Sequence, residues 1–345
     1  MKGEGKSRTL ARQRCERRIA ALVAPPAPPP SPKTVGEQVE YWMETNHSYG
    51  RATTVQTYRQ CIKNLIMPAL GSLRLVKMKP SHVKRWLTDL EGMGRAASYI
   101  GMAYKLVKAS LDLAVQDELL ARNPLMGVRP PQLPRTSGKT LTVAQARRLL
   151  AAASGHRLAL AIRLMVGLGL RRGEVAGLRW QDIDLASGTL TICGSATYTR
   201  ETGVIYGGIK TPESQRTIQL PEQLLTAIRA HQARQSDERA AMRWGATIYV
   251  FTAVTSGSLI NPMVVYTAFH KIAATAGLVG FTPHDLRHGA ATFLLAEGAK
   301  IKRVQSILGH ASAATTMNIY AHLLEGDDSD GLERLQKRLA DEEPC

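Results

Sequence analysis

The 345 residues are about twice the usual length of one domain, so two separate cores are expected. Lys and Arg number 45 against 28 Asp and Glu, and the resulting net charge of +17 points to a polyanionic partner rather than to solubility alone. A hydrophobic content of 44% with 21% charged residues excludes a disordered chain. No apolar run reaches the roughly 18 residues needed to cross a bilayer, which excludes a spanning helix.

Residues 1–33 carry a net +6, with charges throughout the first twenty, which does not fit a secretory signal. Within them SRTLARQRCERRIAAL (7–22) reads as a short basic helix and PPAPPPSP (25–32) as an extended linker. The first domain is expected over 34–128. Helical patterns recur there at 34–45, 52–66, 80–91 (opened by Pro80 and Ser81) and 95–120, which reads as a small all-helical bundle. The Pro-rich, basic stretch at 129–138 reads as a linker.

The second domain is expected over 139–325. Thr142 caps a helix in LTVAQARRLLAAA, and an apolar helix over 157–168 ends at Gly169. Strand character follows at 189–193, 203–209 and 216–220, then helices at 221–241, 262–276, 283–297, 301–308 and 312–323. The fold class is therefore mainly α with a small antiparallel β-sheet. An acidic tail, 326–345, carries a net −4, whereas the two large segments carry +5 (34–134) and +10 (135–325), so a nucleic acid gripped by two basic domains fits the charge. Cys15, Cys61, Cys193 and Cys345 have no CxxC spacing, which argues against a disulfide framework or a cysteine zinc site. There is no repeat and no GxxxxGK[ST] loop to serve an ATP-driven mechanism.

Chemistry concentrates in GLRRGE (169–174), IKTPESQR (209–216), TPHDLRH (282–288), LGHAS (308–312) and TTMNIYAH (315–322). Basic residues at helix starts beside Gly-rich turns are placed to hold a phosphate, because free backbone N–H groups and guanidinium forks point at it together. His284 and Arg287, three apart, share one helix face.

In this order the segments resemble the tyrosine recombinases, the phage integrase family, over nearly all of 34–325. The resemblance places the family's first arginine on Arg171 with its partner acid on Glu174, the hairpin lysine on Lys210, HxxR on His284 and Arg287, the following histidine on His310 and the nucleophile on Tyr320. Leu168 stands where family members usually carry Thr, a change in helix packing rather than in charge. The resemblance implies a helical SAM-like core-binding domain followed by a mixed α/β catalytic domain, and a site-specific recombinase that cuts and rejoins duplex DNA through a 3′-phosphotyrosyl intermediate.

Physical chemistry assigns roles within that set. Attack on a phosphodiester builds charge on the non-bridging oxygens, to which Arg171 and Arg287 offer planar forks, while Glu174 orients Arg171. The Tyr320 phenol, with an ordinary pKa near 10, must lose its proton, which His284 is placed to accept, with His310 bonding a phosphate oxygen. Lys210 is the natural general acid for the departing 5′ oxygen, since the Arg216 guanidinium hardly releases a proton. A phosphotyrosine conserves the energy of the broken bond, so no nucleotide cofactor and no metal is expected. A zinc reading built on His284, His288 and His310 lacks an HExxH glutamate and sets Arg287 beside the cation.

The resemblance further implies double-stranded DNA attachment sites as substrate, a homo-tetramer on DNA, integration or excision of a phage or other mobile element, and a host DNA-bending or excision factor as further partner. A cytoplasmic, nucleoid-associated location without membrane attachment goes with it. The rival readings are a type IB topoisomerase, which shares the chemistry without site choice, and a catalytically inactive DNA-binding relic. The compact first domain, the LGH to Tyr spacing and the filled catalytic positions favour the recombinase.

Overall fold

A computed structural model describes residues 32–46, 52–130, 139–208 and 215–309. The chain divides into two units, Met1–Pro134 and Arg135–Cys345, each with its own apolar core.

In the first unit, helix α1 (Val35–Thr45) begins at a capping box. The Thr34 hydroxyl accepts the Glu37 N–H at 3.2 Å, and the Glu37 carboxylate accepts the Thr34 N–H at 3.1 Å. Val35, Val39 and Trp42 are then buried on one face. Helix α2 (Ala52–Cys61) does not stop at residue 66, as the sequence leads one to expect; it runs through a π-turn, Ile62–Ile66, into α3 (Met67–Leu70). The Met67 N–H reaches back to the Ile62 carbonyl, and Pro68 falls at the start of α3, where its missing N–H costs little. Helix α4 (Pro80–Gly92) is followed by α5 (Ala97–Gln116), which ends short of residue 120 because Glu118 turns left-handed at φ 59° and the Leu119 N–H closes on the Ala114 carbonyl. The buried polar groups tie these helices together: Trp86 Nε1 donates to the Leu65 carbonyl at 2.9 Å and Gln38 Nε2 to the Ser110 carbonyl at 2.8 Å.

In the second unit, the Thr142 cap holds, opening α6 (Val143–Ala152) through a capping box with Gln145. Helix α7 (Ala159–Leu168) is apolar nearly all round and lies in the core, ending at Gly169 with φ 62°. Two residues later a single-turn helix, α8 (Arg172–Ala176), starts. The one small sheet expected is in fact two. Strands β1 (Ile183–Asp184), β2 (Thr189–Ile192) and β5 (Arg216–Gln219) form an antiparallel sheet, with Leu190 opposite Ile218. Strands β3 (Gly194–Thr199) and β4 (Gly203–Gly208) form a separate hairpin. Strand β3 leaves no signal in the sequence because its glycine and small residues lack an apolar alternation. Their smallness matters for packing: a Cβ on Gly173 or Gly177 would come within 2.8 Å or 2.6 Å of the Ala196 backbone, so only glycine lets α8 lie against β3.

The unit is completed by α9 (Glu222–Met242), α10 (Pro262–Thr275), α11 (Pro283–Ala296) and α12 (Ile301–Leu308). No helix among the described residues is long and apolar enough to cross a membrane. The expected helices at 7–22 and 312–323 and the acidic tail lie outside the described residues, as does all of the linker but Arg129 and Pro130.

Candidate active site

Gly169 turns the chain out of α7 so that Arg171 becomes the N-cap of α8, and the third position of that helix is Glu174. The Glu174 carboxylate accepts the Arg171 backbone N–H at 2.9 Å and the Arg171 Nη1 at 2.7 Å. It is 4% exposed, whereas the Arg171 side chain is 42% exposed, so a buried acid anchors a cation that stays partly accessible. A second guanidinium closes on the same carboxylate. Arg216, at the start of β5, donates from Nη2 to Oε2 at 2.7 Å and from Nη1 to Oε1 at 3.2 Å. Burial acts to raise the Glu174 pKa, and the Arg216 and Arg171 guanidiniums outweigh it, so the carboxyl titrates below its usual range and is ionised.

Arg287 comes from α11, whose start is set by the Thr282 and Asp285 capping box and by Pro283 in its first turn. It is 2% exposed; Nη1 donates to the Gly169 carbonyl at 2.9 Å and Nη2 to the Leu308 carbonyl. Burial first, and Arg171 second, push its pKa down to about 9, so it remains a cation at neutral pH but one held at a cost. An anion placed between the two arginines relieves that cost.

His284 lies one turn before Arg287, and its ring meets His288 edge to face at 4.7 Å between centroids. Burial, then His288, then Arg287 lower the His284 pKa; burial also lowers that of His288, with Asp285 opposing and Arg287 adding to it. Both rings are therefore neutral at pH 7. Among the described residues no three His, Cys, Asp or Glu side chains converge as a metal set.

These elements surround a cavity of about 360 Å³ lined by Arg171, Arg172, Gly173, Tyr266, Thr282, Pro283, His284 and Arg287. Of the residues singled out from the sequence, Arg171, His284 and Arg287 are thus brought to one cavity, with Glu174 behind Arg171. Lys210, His310 and Tyr320 lie outside the described residues. The sequence assigns no role to the other lining residues: Arg172, Gly173, Thr282 and Pro283 fall within the charged motifs, and Tyr266, whose ring centroid lies 5.2 Å from the Arg172 guanidinium, does not. Arg172 is the second arginine of GLRRGE, a visible signal; nothing in the sequence marks Tyr266, which reaches the cavity from α10.

The phage integrase family matches residues 139–326, and the phage integrase N-terminal SAM-like domain matches residues 34–90. A tyrosine recombinase XerC-like protein of Caldanaerobacter subterraneus subsp. tengcongensis is 28% identical over 328 residues, covering 88% of this chain and 82% of that one. Tyrosine recombinase XerC of Mycobacterium tuberculosis is 32% identical over 253 residues, covering 70% and 78%. Among solved structures, the Tn1549 transposon integrase in complex with transposon right end DNA superposes with a TM-score of 0.73 at 22% identity, covering 89% of this chain and 99% of that one. A lambda integrase tetramer bound to a Holliday junction superposes with a TM-score of 0.63 at 18% identity, covering 90% and 85%. The fold and the relatives define the class: a tyrosine site-specific recombinase. The chain belongs to the phage integrase family.

Proposed function

We propose that this chain cleaves and rejoins duplex DNA through a 3′-phosphotyrosyl intermediate on Tyr320 and thereby integrates and excises a phage or other mobile element. The observation that carries this reading is the convergence of Arg171, Arg287 and neutral His284 on one cavity, with a single carboxylate, Glu174, set behind rather than within it. Such a cavity is cationic, turns the remaining N–H groups of two anchored guanidiniums toward a phosphate and keeps one imidazole to accept a proton.

In the proposed step the Tyr320 phenol gives its proton to His284 as its oxygen bonds to phosphorus. The bond from phosphorus to the 5′ oxygen breaks, and that oxygen takes a proton from Lys210. Arg171 and Arg287 hold the non-bridging oxygens, joined by His310. Religation runs the same transfers in reverse with a different 5′ hydroxyl, without nucleotide, metal or other cofactor.

Exchange between two duplexes uses four such sites, and so a homo-tetramer on paired attachment sites. The net +17 supports DNA as the partner, and the lambda integrase tetramer on a Holliday junction offers a precedent for the assembly. The acidic tail, 326–345, is assigned to docking on a neighbouring subunit, and residues 1–33, at +6, to sequence-independent phosphate contacts. The domain limits at 34–128 and 139–325 belong to the same reading, as do a cytoplasmic, nucleoid-associated location and a host bending or excision factor.

The test is a nicked suicide duplex drawn from the ends of the mobile segment that flanks the coding region, resolved on a denaturing gel. A covalent adduct is expected with the wild-type chain and none with Tyr320→Phe; an adduct that persists in the variant overturns the assignment.

A further inference from the structure

Three arginines from three different elements end on three successive carbonyls. Arg216 Nε donates to the Ile307 carbonyl at 2.7 Å, Arg287 Nη2 to that of Leu308, and Arg171 Nη2 to that of Gly309 at 3.1 Å. These are the last carbonyls of α12 and its C-cap, groups that a helix leaves without internal partners and that carry the negative end of its dipole. The chain continues from them directly into His310 and on to Tyr320. Close approach here depends on two glycines. A Cβ on Gly309, which has φ 64°, would stand 3.0 Å from Arg216 Nη1, and one on Gly169 would stand 2.4 Å from Leu308 Cδ2.

Arg171 and Arg287 both line the cavity, but Arg216 does not. Arg216 is 6% exposed, and its guanidinium is committed to Glu174 on one side and Ile307 on the other. A buried cation of this kind contributes little net stability against an apolar replacement, because desolvation offsets the Coulomb gain. Its geometry connects instead. Through Glu174 it reaches Arg171, and through Ile307 it reaches the end of the helix that precedes the nucleophile segment.

We propose that Arg216 is a positioning residue that joins the phosphate-binding arm of the site, Arg171 held by Glu174, to the C-terminus of α12, from which His310 and Tyr320 are delivered. The inference rests on the reading of the site given under Proposed function. Without Arg216, Glu174 keeps a buried charge balanced by Arg171 alone and draws that guanidinium inward, while the Ile307 carbonyl loses its clamp. The arginine fork and the nucleophile segment then no longer share one frame. Duplex affinity, which rests on many basic groups elsewhere, is untouched by this, whereas the rate of cleavage is not.

The experiment uses the full chain as wild type, Tyr320→Phe, Arg216→Lys and Arg216→Gln, on the suicide duplex described above. Arg216→Lys retains a cation beside Glu174 but not the fork that also spans to Ile307. Single-turnover adduct formation is expected to fall at least 100-fold in both Arg216 variants, while affinity for the same duplex stays within about threefold. Replacing the 5′-bridging oxygen by sulfur is expected to leave the defect in place, because Arg216 is not the proton donor. Combining Arg216→Gln with Glu174→Gln is expected to cost less than the product of the two single losses, since both act through one pair. Amide hydrogen exchange is expected to rise in α12 and not in α7, which separates a lost clamp from general loosening.

Cleavage within about threefold of wild type, rescue by the bridging sulfur, or a loss of affinity equal to the loss of rate each overturns the proposal. Loss of native circular dichroism in both Arg216 variants overturns it as well, reducing Arg216 to a residue that holds the fold. An adduct absent from the wild-type chain, or present in Tyr320→Phe, is the separate result that removes the underlying reading of the site and the inference with it.

Discussion

Arg287 Nη1 donates to the carbonyl of Gly169 at 2.9 Å, joining the helix of the HDLRH motif to the turn that presents Arg171. The same guanidinium reaches the Leu308 carbonyl, so one buried cation ties together the C-terminal ends of α7 and α12, both negative ends of helix dipoles. The proposed role in cleavage and the local folding therefore fall on the same side chain.

That dual use separates the two arginines under substitution. Arg171→Ala removes a half-exposed guanidinium, and the expected result is at least a 100-fold loss of cleavage, about 3 kcal/mol, with a smaller fall in melting temperature than for Arg287→Ala, since Glu174 keeps Arg216 and only the Gly309 carbonyl loses its donor. Arg287→Ala is expected to lose cleavage to the same degree and also about 1 to 3 kcal/mol of stability for the Gly169 and Leu308 carbonyls left without their donor. Thermal unfolding and single-turnover cleavage on both variants check this; equal melting temperatures would show that the Arg287 bonds to Gly169 and Leu308 add no stability of their own.

The histidines set the pH response. His284 and His288 both titrate below the ordinary 6.5, chiefly because burial disfavours their charged forms, so the unfolded chain takes up these protons before the folded one. Stability and cleavage are accordingly expected to be level between about pH 6.5 and the Arg287 titration at about 9, and to fall as the pH drops below about 6.5. Asp285 opposes the shift and Arg287 reinforces it for both rings, so the fall lies at a higher pH in Asp285-intact Arg287→Lys only if the cation leaves the rings. An acid limb of the cleavage rate centred above pH 6.5 would count against a neutral His284 as the proton acceptor.

Gly169 and Gly309 are expected to resist substitution by alanine. Both have positive φ, which costs an L-residue about 1 to 2 kcal/mol, and a Cβ on Gly169 additionally collides with Leu308. For a unit of this size each kcal/mol lowers the melting temperature by about 2 to 4 °C. The prediction is a fall larger for Gly169→Ala than for Gly309→Ala, read by differential scanning calorimetry, because Leu308 Cδ2 stands 2.4 Å from a carbon added at Gly169, whereas the nearest atom to one added at Gly309 is Arg216 Nη1 at 3.0 Å.

Lys210→Ala is expected to abolish cleavage of an ordinary phosphodiester and to cleave a 5′-bridging sulfur substrate normally, since a thiolate leaves without protonation. Rescue absent in Lys210→Ala would remove the lysine from the role of acid.

Much of this was legible in the sequence because local rules set it. The Thr34, Thr142 and Thr282 caps each pair with an acid or amide three residues on, and each opens a helix where expected. Gly169 ends the apolar helix before GLRRGE, and the order of charged motifs carries the family. Elements governed by long-range contact were misread. Strand β3 is formed by pairing with β4 and packs its small residues on α8, the π-turn at Ile62–Ile66 joins two helices just before Pro68, and α5 ends where Glu118 takes a left-handed turn that no glycine announces.

Arg216 shows the division most clearly. From the sequence it is one more arginine near Lys210, and a poorer proton donor than that lysine. The sequence by itself determined which side chains are available, and through caps, glycines and charge order it determined where their helices start and stop. Only the tertiary structure decided that Arg216, Arg287 and Arg171 end on Ile307, Leu308 and Gly309, because a guanidinium so buried takes whichever acceptors packing brings to it, and those acceptors come from segments far apart in the chain.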